Sequence, residues 1–258
     1  MSTIKNEIRL KSIGIQSDIW PMIDELWSFY SKKGIRTVFV QVGVSTNAAV
    51  ELEISETLGC PVHIWDVREE TTKVWDEVKL ILKDRKRPES ASPFTEGADK
   101  KWVLPKNVRL YTGIPSFSTG TLEVQSKQYP TVSFQSSVKQ MVESMKLTEE
   151  RIDIMRVCLG EGVERSVLYA LIDSPYRPGL LLVQWTMPPD SNIQTTLCAG
   201  HLQNSGYTLL ARQGNNFLYL FNNECVYETC SWETNEVINP MVAELVKSMI
   251  PPEKNVTE

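Results

Sequence analysis

Histidine is nearly missing from this chain. Its 258 residues contain two, His63 and His201, far apart in sequence. That excludes a multi-His metal centre within the chain, and a Ser-His-Asp machine would have to use one of these two imidazoles. Cysteine is sparse and unpatterned. Cys60, Cys158, Cys198, Cys225 and Cys230 make an odd count with no C-x-x-C, which is not a disulfide framework. A reduced Cys in an apolar run behaves as a small hydrophobe; Cys225 and Cys230 are close enough in sequence to pair. No apolar stretch reaches the length of a membrane span. The opening MSTIKNEIRLKSIG lacks the apolar core of a signal peptide, so the expected location is a reduced, cytoplasmic one. Basic residues are outnumbered, 27 Lys+Arg against 32 Asp+Glu for a net charge of -5. This argues against a nucleic-acid backbone or an anionic membrane as the main partner. Phosphate-loop and dinucleotide glycine fingerprints are absent, which leaves a nucleotide ligand little support.

What remains is an ordinary globular composition, 41% hydrophobic and 23% charged, long enough for a sizeable core. Ser17 is a plausible N-cap for a helix carrying Ile19, Met22, Ile23, Leu26, Trp27 and Tyr30 at helical spacing and closed by Gly34. Residues 1–35 therefore read as an N-terminal helical extension. A strand over 37–42 follows, then a helix over 48–58, a strand over 62–65 ending at Asp66, and a helix over 73–83. Residues 84–105 are charged, Pro- and Ser-containing and aperiodic, an exposed loop or insertion. A third strand begins at Val108, and 121–124 reads as an added edge strand. Val138, Met141, Val142 and Met145 form a core-facing helical stripe. A fourth strand over 152–159, a helix over 163–172, an almost wholly apolar strand over 179–185 and a helix over 195–204 complete the alternation. Two alternating runs around Gly214-Asn215-Asn216 predict an antiparallel hairpin. Residues 225–258 read as a helical tail, with a helix over 237–250. Strands alternating with helices predict a doubly wound parallel sheet spanning 36–224.

In such a sheet ligands bind beyond the carboxyl ends of the strands, where the strand order reverses. After the first strand come Gln41, Gly43, Ser45 and Asn47. Gly43 would let backbone approach a ligand, and the following helix N-terminus offers free N–H groups. Ser45 and Asn47 are equally good helix caps. Asp66 ends the second strand, placed to accept hydrogen bonds from a ribose or simply to be solvated there. The stretch Trp185-Thr186-Met187-Pro188-Pro189 looks exposed and suited to a protein interface.

Several motifs follow one familiar order. Val38-Phe39-Val40-Gln41-Val42-Gly43 is similar to F-V-D-V-G. Arg151-Ile152-Asp153-Ile154-Met155-Arg156-Val157-Cys158, with Glu161-Gly162-Val163-Glu164 after it, is similar to R-I-D-L-L-K-I-D-V-E-G-x-E. Arg177-Pro178-Gly179 then opens the fifth strand and Gly206-Tyr207 the hairpin. In these motifs, from about Val38 to Phe221, the chain resembles the FkbM-type methyltransferases that use S-adenosylmethionine. The resemblance implies a Rossmann-like class I methyltransferase fold, a seven-stranded doubly wound sheet of five parallel strands plus a C-terminal antiparallel hairpin. It implies S-adenosylmethionine as cofactor, held by Gln41, Gly43, Ser45, Asn47 and Asp66, with Glu161 and Cys158 near the acceptor and no metal. The acceptor it implies is a small molecule or a glycan, methylated on a hydroxyl, with no nucleic acid and no membrane span; oligomerisation stays open.

The chain departs from the pattern where it matters. Gln41, Cys158 and Gln184 stand where the resembled family keeps acids, Asn47 replaces a glycine, and Gly160 is an extra residue. Gln accepts a hydrogen bond but is a poor base. Cys158 could be a thiolate, although a Cys in an apolar run is more often inert. Methyl transfer asks mainly for in-line positioning, so the losses weaken catalysis without abolishing its rationale. An active methyltransferase and a catalytically impaired binding or structural subunit therefore both remain. Acids on the helix, Glu51, Glu53 and Glu56, read as surface charge.

Overall fold

The computed structural model describes residues 10–15, 18–33, 37–43, 49–66, 107–115, 120–123, 131–134, 137–147, 151–160, 162–221 and 236–238. The helix expected over 73–83 and the loop over 84–105 lie outside these residues.

Parallel strands β3 (Phe39–Val42), β4 (Val62–Asp66), β5 (Val108–Thr112), β8 (Ile154–Val157) and β9 (Leu180–Gln184) form the centre of an eight-stranded sheet. The order is β5-β4-β3-β8-β9, continued by the antiparallel pair β11 (Asn216–Phe221) and β10 (Tyr207–Gln213) and then by β12 (Glu236–Ile238). The expected seven strands are thus present, with β12 added at the edge. Side-chain alternation splits each strand between two cores. Val40, Val42, Met155, Val157, Leu181 and Val183 face one layer, with helices α3 (Val138–Met145), α4 (Val163–Ile172) and α5 (Ile193–Asn204). Phe39, Ile154, Leu180 and Leu182 face the other, with α1 (Asp24–Lys33) and α2 (Ala49–Leu58). Period-two burial of this kind fixes the register, because a one-residue slip would exchange the two faces.

Three local expectations are corrected. The single helix from Ser17 does not form. Residues Leu10–Ile15 (β1) and Asp18–Ile23 (β2) make an antiparallel hairpin, and the helix starts only at Asp24. Pro21 has no N–H and biases Trp20 toward extended backbone, whereas Asp24 and Glu25 suit a helix N-terminus. The hairpin packs Ile13, Trp20, Met22 and Ile23 into the second core. The tail helix expected from 237 is likewise replaced at its start: Val237 and Ile238 belong to β12, which pairs with Arg212 and Ala211 of β10 and closes a bare sheet edge. The remainder of that tail lies outside the described residues. Finally, β6 (Gly120–Glu123) does not extend the main sheet; it pairs with β7 (Thr131–Phe134) as a separate two-stranded sheet.

Helix boundaries follow their caps. Ser137 and Gln140 form a reciprocal capping box at α3. Asn192 accepts from the N–H groups of Gln194 and Thr195, which starts α5 two residues before the sequence pattern does. Among the described residues no helix is long and apolar enough to cross a membrane.

Candidate functional site at the carboxyl ends of the parallel strands

The chain runs outward from β3 to β4 and β5, then returns to the other side of β3 with β8 and β9. The reversal therefore falls between β3 and β8, whose ends meet where Cys158 N donates to Val42 O at 2.9 Å, while Gly43 N ties the end of β3 to β4 by donating to Trp65 O at 2.7 Å. Of the sequence-derived candidates, this brings together Gln41, Gly43, Cys158 and, one strand over, Asp66. Ser45, Asn47 and Glu161 lie outside the described residues.

Gly43 has φ of 79°, and a Cβ there would strike the Cys158 carbonyl and stand 2.7 Å from a Leu159 methyl. The glycine is demanded by the close approach of two strand ends, whatever else passes over it. Asp66 is buried, the residue 6% exposed, and its carbonyl accepts from Gly113 N at 2.8 Å.

The three positions where the resembled motifs carry acids, Gln41, Cys158 and Gln184, form two hydrogen-bonded groups. Cys158 donates its thiol to Gln184 Oε1 at 2.8 Å. Gln41 donates to the Gly43 carbonyl and accepts from Arg156 Nη1 at 3.4 Å. Arg156, the register partner of Gln41 on β8, also donates to Glu51 of α2 at 2.8 Å, and both of those side chains are fully buried. The guanidinium lies 4.3 Å from the centre of the Trp20 ring. Glu51 is thus no surface charge, which corrects the sequence reading. On an inward-facing position of a central strand Arg156 needs a carboxylate, and α2 brings it one. Sequence reasoning missed this pair; an arginine at an inward position of an otherwise apolar strand is the signal that could have found it.

Glu164 is also fully buried. Its two oxygens accept from Thr186 N and Thr186 Oγ1, both at 3.1 Å, so it pins the chain leaving β9 to the first turn of α4. The indole nitrogens of Trp65 and Trp185, both at strand ends, are buried with no hydrogen-bond partner among the described residues. Trp65 stacks on Tyr111, its register partner, at 4.6 Å, and Tyr111 shares a 3.0 Å hydrogen bond with His63 Nδ1. Burial, with the nearby Arg109 guanidinium second, lowers the His63 pKa to about 4, so this imidazole is neutral at pH 7. Burial pushes the Cys198 thiol up to about 12. Among the described residues no group of His, Cys, Asp and Glu could hold a metal ion.

Other motif residues are structural. Asp153 accepts from Val38 N at 2.8 Å and pairs with Arg151 at 3.2 Å, at the opposite end of the sheet. Arg177 caps α4 by donating to the Leu171 carbonyl at 2.8 Å.

The architecture is the Rossmann-like class I methyltransferase fold. No family model and no curated protein sequence matches the chain, so the FkbM-type likeness rests on the motifs alone. Solved structures with a similar fold include three methyltransferases. One is the precorrin-6Y C5,15-methyltransferase from Geobacter metallireducens, 10% identical, TM-score 0.39, with 81% of this chain and 91% of that chain covered. Another is M. capricolum TrmK with S-adenosylhomocysteine, 10% identical, TM-score 0.40, with 80% and 71% covered. The third is an rRNA methylase from Streptococcus thermophilus, 11% identical, TM-score 0.39, with 75% and 91% covered. At these scores the likeness adds nothing beyond the strand order. The expectation of a small-molecule or glycan acceptor without nucleic acid does not stand: an rRNA methylase is among the solved structures of similar fold, so the fold does not exclude a nucleic-acid acceptor. The physical reason is that net charge describes the whole chain and does not decide what one surface binds.

Proposed function

We propose that this protein binds S-adenosylmethionine at the β3–β8 reversal and acts as a methyltransferase. The observation that carries the reading is the strand order, with Gly43 ending β3 and the buried Asp66 ending β4 beside it. Asp66 would accept from the cofactor ribose. Gly43, with Ser45 and Asn47 after it, would hold the methionine portion. The Trp65 indole N–H near the end of β4, buried without a hydrogen-bond partner among the described residues, is a donor suited to a bound polar ligand. The cofactor would supply an activated methyl group, and the protein's share would be alignment of an acceptor with it.

A second reading, binding without transfer, is favoured by one observation. Among the described residues the carboxylate that ends a parallel strand is Asp66, and Glu164 lies in the first turn of α4. Glu164 is tied to Thr186, while Cys158 and Gln184 are engaged with each other. Calorimetric titration with S-adenosylhomocysteine tests the common premise. Binding is expected, weakened at least tenfold in Asp66→Ala; no binding at millimolar ligand refutes both readings, and binding indifferent to Asp66→Ala refutes the ribose assignment. Transfer of a labelled methyl group to separated RNA, protein and metabolite fractions then decides between the two.

A further inference from the structure

Gln41 stands on β3 where the resembled motifs carry an acid, and it is fully buried. Its amide makes two contacts of opposite polarity. The oxygen accepts from Arg156 Nη1 at 3.4 Å, and the nitrogen donates to the Gly43 carbonyl. The reverse orientation would set an NH2 group against a guanidinium and an oxygen against a carbonyl, so the two neighbours fix which end is which. A carboxylate could accept from Arg156 but has nothing to donate to Gly43. The amide suits this place in a way an ionised acid does not.

Arg156 is itself held. Glu51 of α2 accepts from the same Nη1 at 2.8 Å, and the Trp20 ring of β2 covers the guanidinium at 4.3 Å. Three elements, β2, β8 and α2, thus decide where the guanidinium stands, and the guanidinium decides where the Gln41 oxygen stands. Buried polar groups that satisfy one another act as a unit. This one ends on a backbone atom.

Gly43 is constrained from several sides. Its N–H donates to Trp65 O at 2.7 Å, an added Cβ would collide with the Cys158 carbonyl, and φ is 79°. These contacts fix the side of the residue nearest the sheet. Its carbonyl belongs to the next peptide plane, through which the chain leaves β3 at the strand reversal. Gln41 holds that carbonyl.

We infer, on the cofactor reading above, that Gln41 is a positioning residue: its amide passes the location of the buried Glu51–Arg156 pair to the Gly43 carbonyl and so sets the backbone that holds the methionine portion of S-adenosylmethionine. The direct cofactor contact that the resemblance implies for Gln41 is replaced by an indirect one.

Calorimetric titration of the full chain with S-adenosylhomocysteine tests this on wild type, Gln41→Met and Gln41→Glu, each at a temperature below its own melt. Gln41→Met keeps the length of the side chain and removes both hydrogen bonds; affinity should fall about tenfold. Gln41→Glu keeps the acceptor for Arg156 and loses only the donor, with a similar fall at neutral pH. As the pH is lowered the introduced carboxyl takes up a proton and becomes a donor to Gly43. Its affinity should then return toward that of the wild type at the same pH, while Gln41→Met stays apart. The charged groups facing that carboxyl are Arg156 of β8, which favours its ionised form, and Glu51 of α2, which with burial favours the neutral one; Ile64, its register partner on β4, carries no charge. Because the protonated form reproduces both contacts, Gln41→Glu should fold at acidic pH even if Gln41→Met does not fold at all. A role in packing alone moves the melting temperature without this pH-dependent recovery. A wild type that does not bind at millimolar ligand overturns the cofactor reading and this inference with it. Wild-type binding that Gln41→Glu leaves unchanged at neutral pH, or a deficit in that variant that does not shrink on acidification, overturns the inference alone.

Discussion

Removing the charge of Glu51 should destabilise the protein more than any other single surface-to-site acid change. Glu51 and Arg156 meet at 2.8 Å with both side chains fully buried. Glu51→Gln keeps the shape and an acceptor oxygen but strands the guanidinium's charge in the core. Breaking one side of a buried pair costs about 3–5 kcal/mol. For a domain of this size each kcal/mol moves the melting temperature by about 2–4 °C, so the expected fall is about 6–20 °C. The Trp20 ring, 4.3 Å from the guanidinium, still attracts it in the variant, but such a contact is worth only about 2 kcal/mol when desolvated. Urea unfolding and thermal melts at one pH measure the loss, and its insensitivity to salt separates it from a surface pair. Replacing both partners, Glu51→Leu with Arg156→Met, should restore much of the stability lost by either single change, because no buried charge is left alone. A Glu51→Gln variant within about 1 kcal/mol of the wild type, or a double variant worse than the sum of the singles, would refute the assignment.

Two further outcomes follow from the same site. His63 stays neutral in the folded chain down to about pH 4, against 6.5 ordinarily, so above pH 6.5 it contributes no pH dependence. Between pH 6.5 and 4 the unfolded chain takes a proton the folded chain refuses, and stability falls with pH by up to ~3 kcal/mol; His63→Gln should flatten that difference, and equal slopes in the two proteins would count against it. Gly43→Ala should cost about 2–5 kcal/mol, combining a left-handed backbone with a collision at Cys158; a near-neutral melt would show that β3 and β8 do not meet as closely as described.

Much of the fold is legible in the sequence because burial writes a period into each element. The five parallel strands, the Met-containing stripe of α3, the helix over Val163–Ile172 and the terminal hairpin all follow from local pattern and turn residues. So does the position of Asp66 at a strand end. Where spacing serves two structures equally, the sequence is ambiguous. Ile19, Met22 and Ile23 fit a helix as well as β2, and only pairing with β1 and packing on the sheet select the strand. Val237 and Ile238 become β12 because the bare edge of β10 is there to be paired. The site's chemistry depends still more on what meets in space. That Glu51 is a buried counter-ion, that Cys158 and Gln184 satisfy each other, and that Glu164 holds the loop after β9 are contacts between residues 22 to 105 positions apart. Period and composition, set by local backbone geometry, can place a residue on a face. Which charge or thiol it meets there is decided by the crossing of distant strands and helices, and so by the tertiary structure alone.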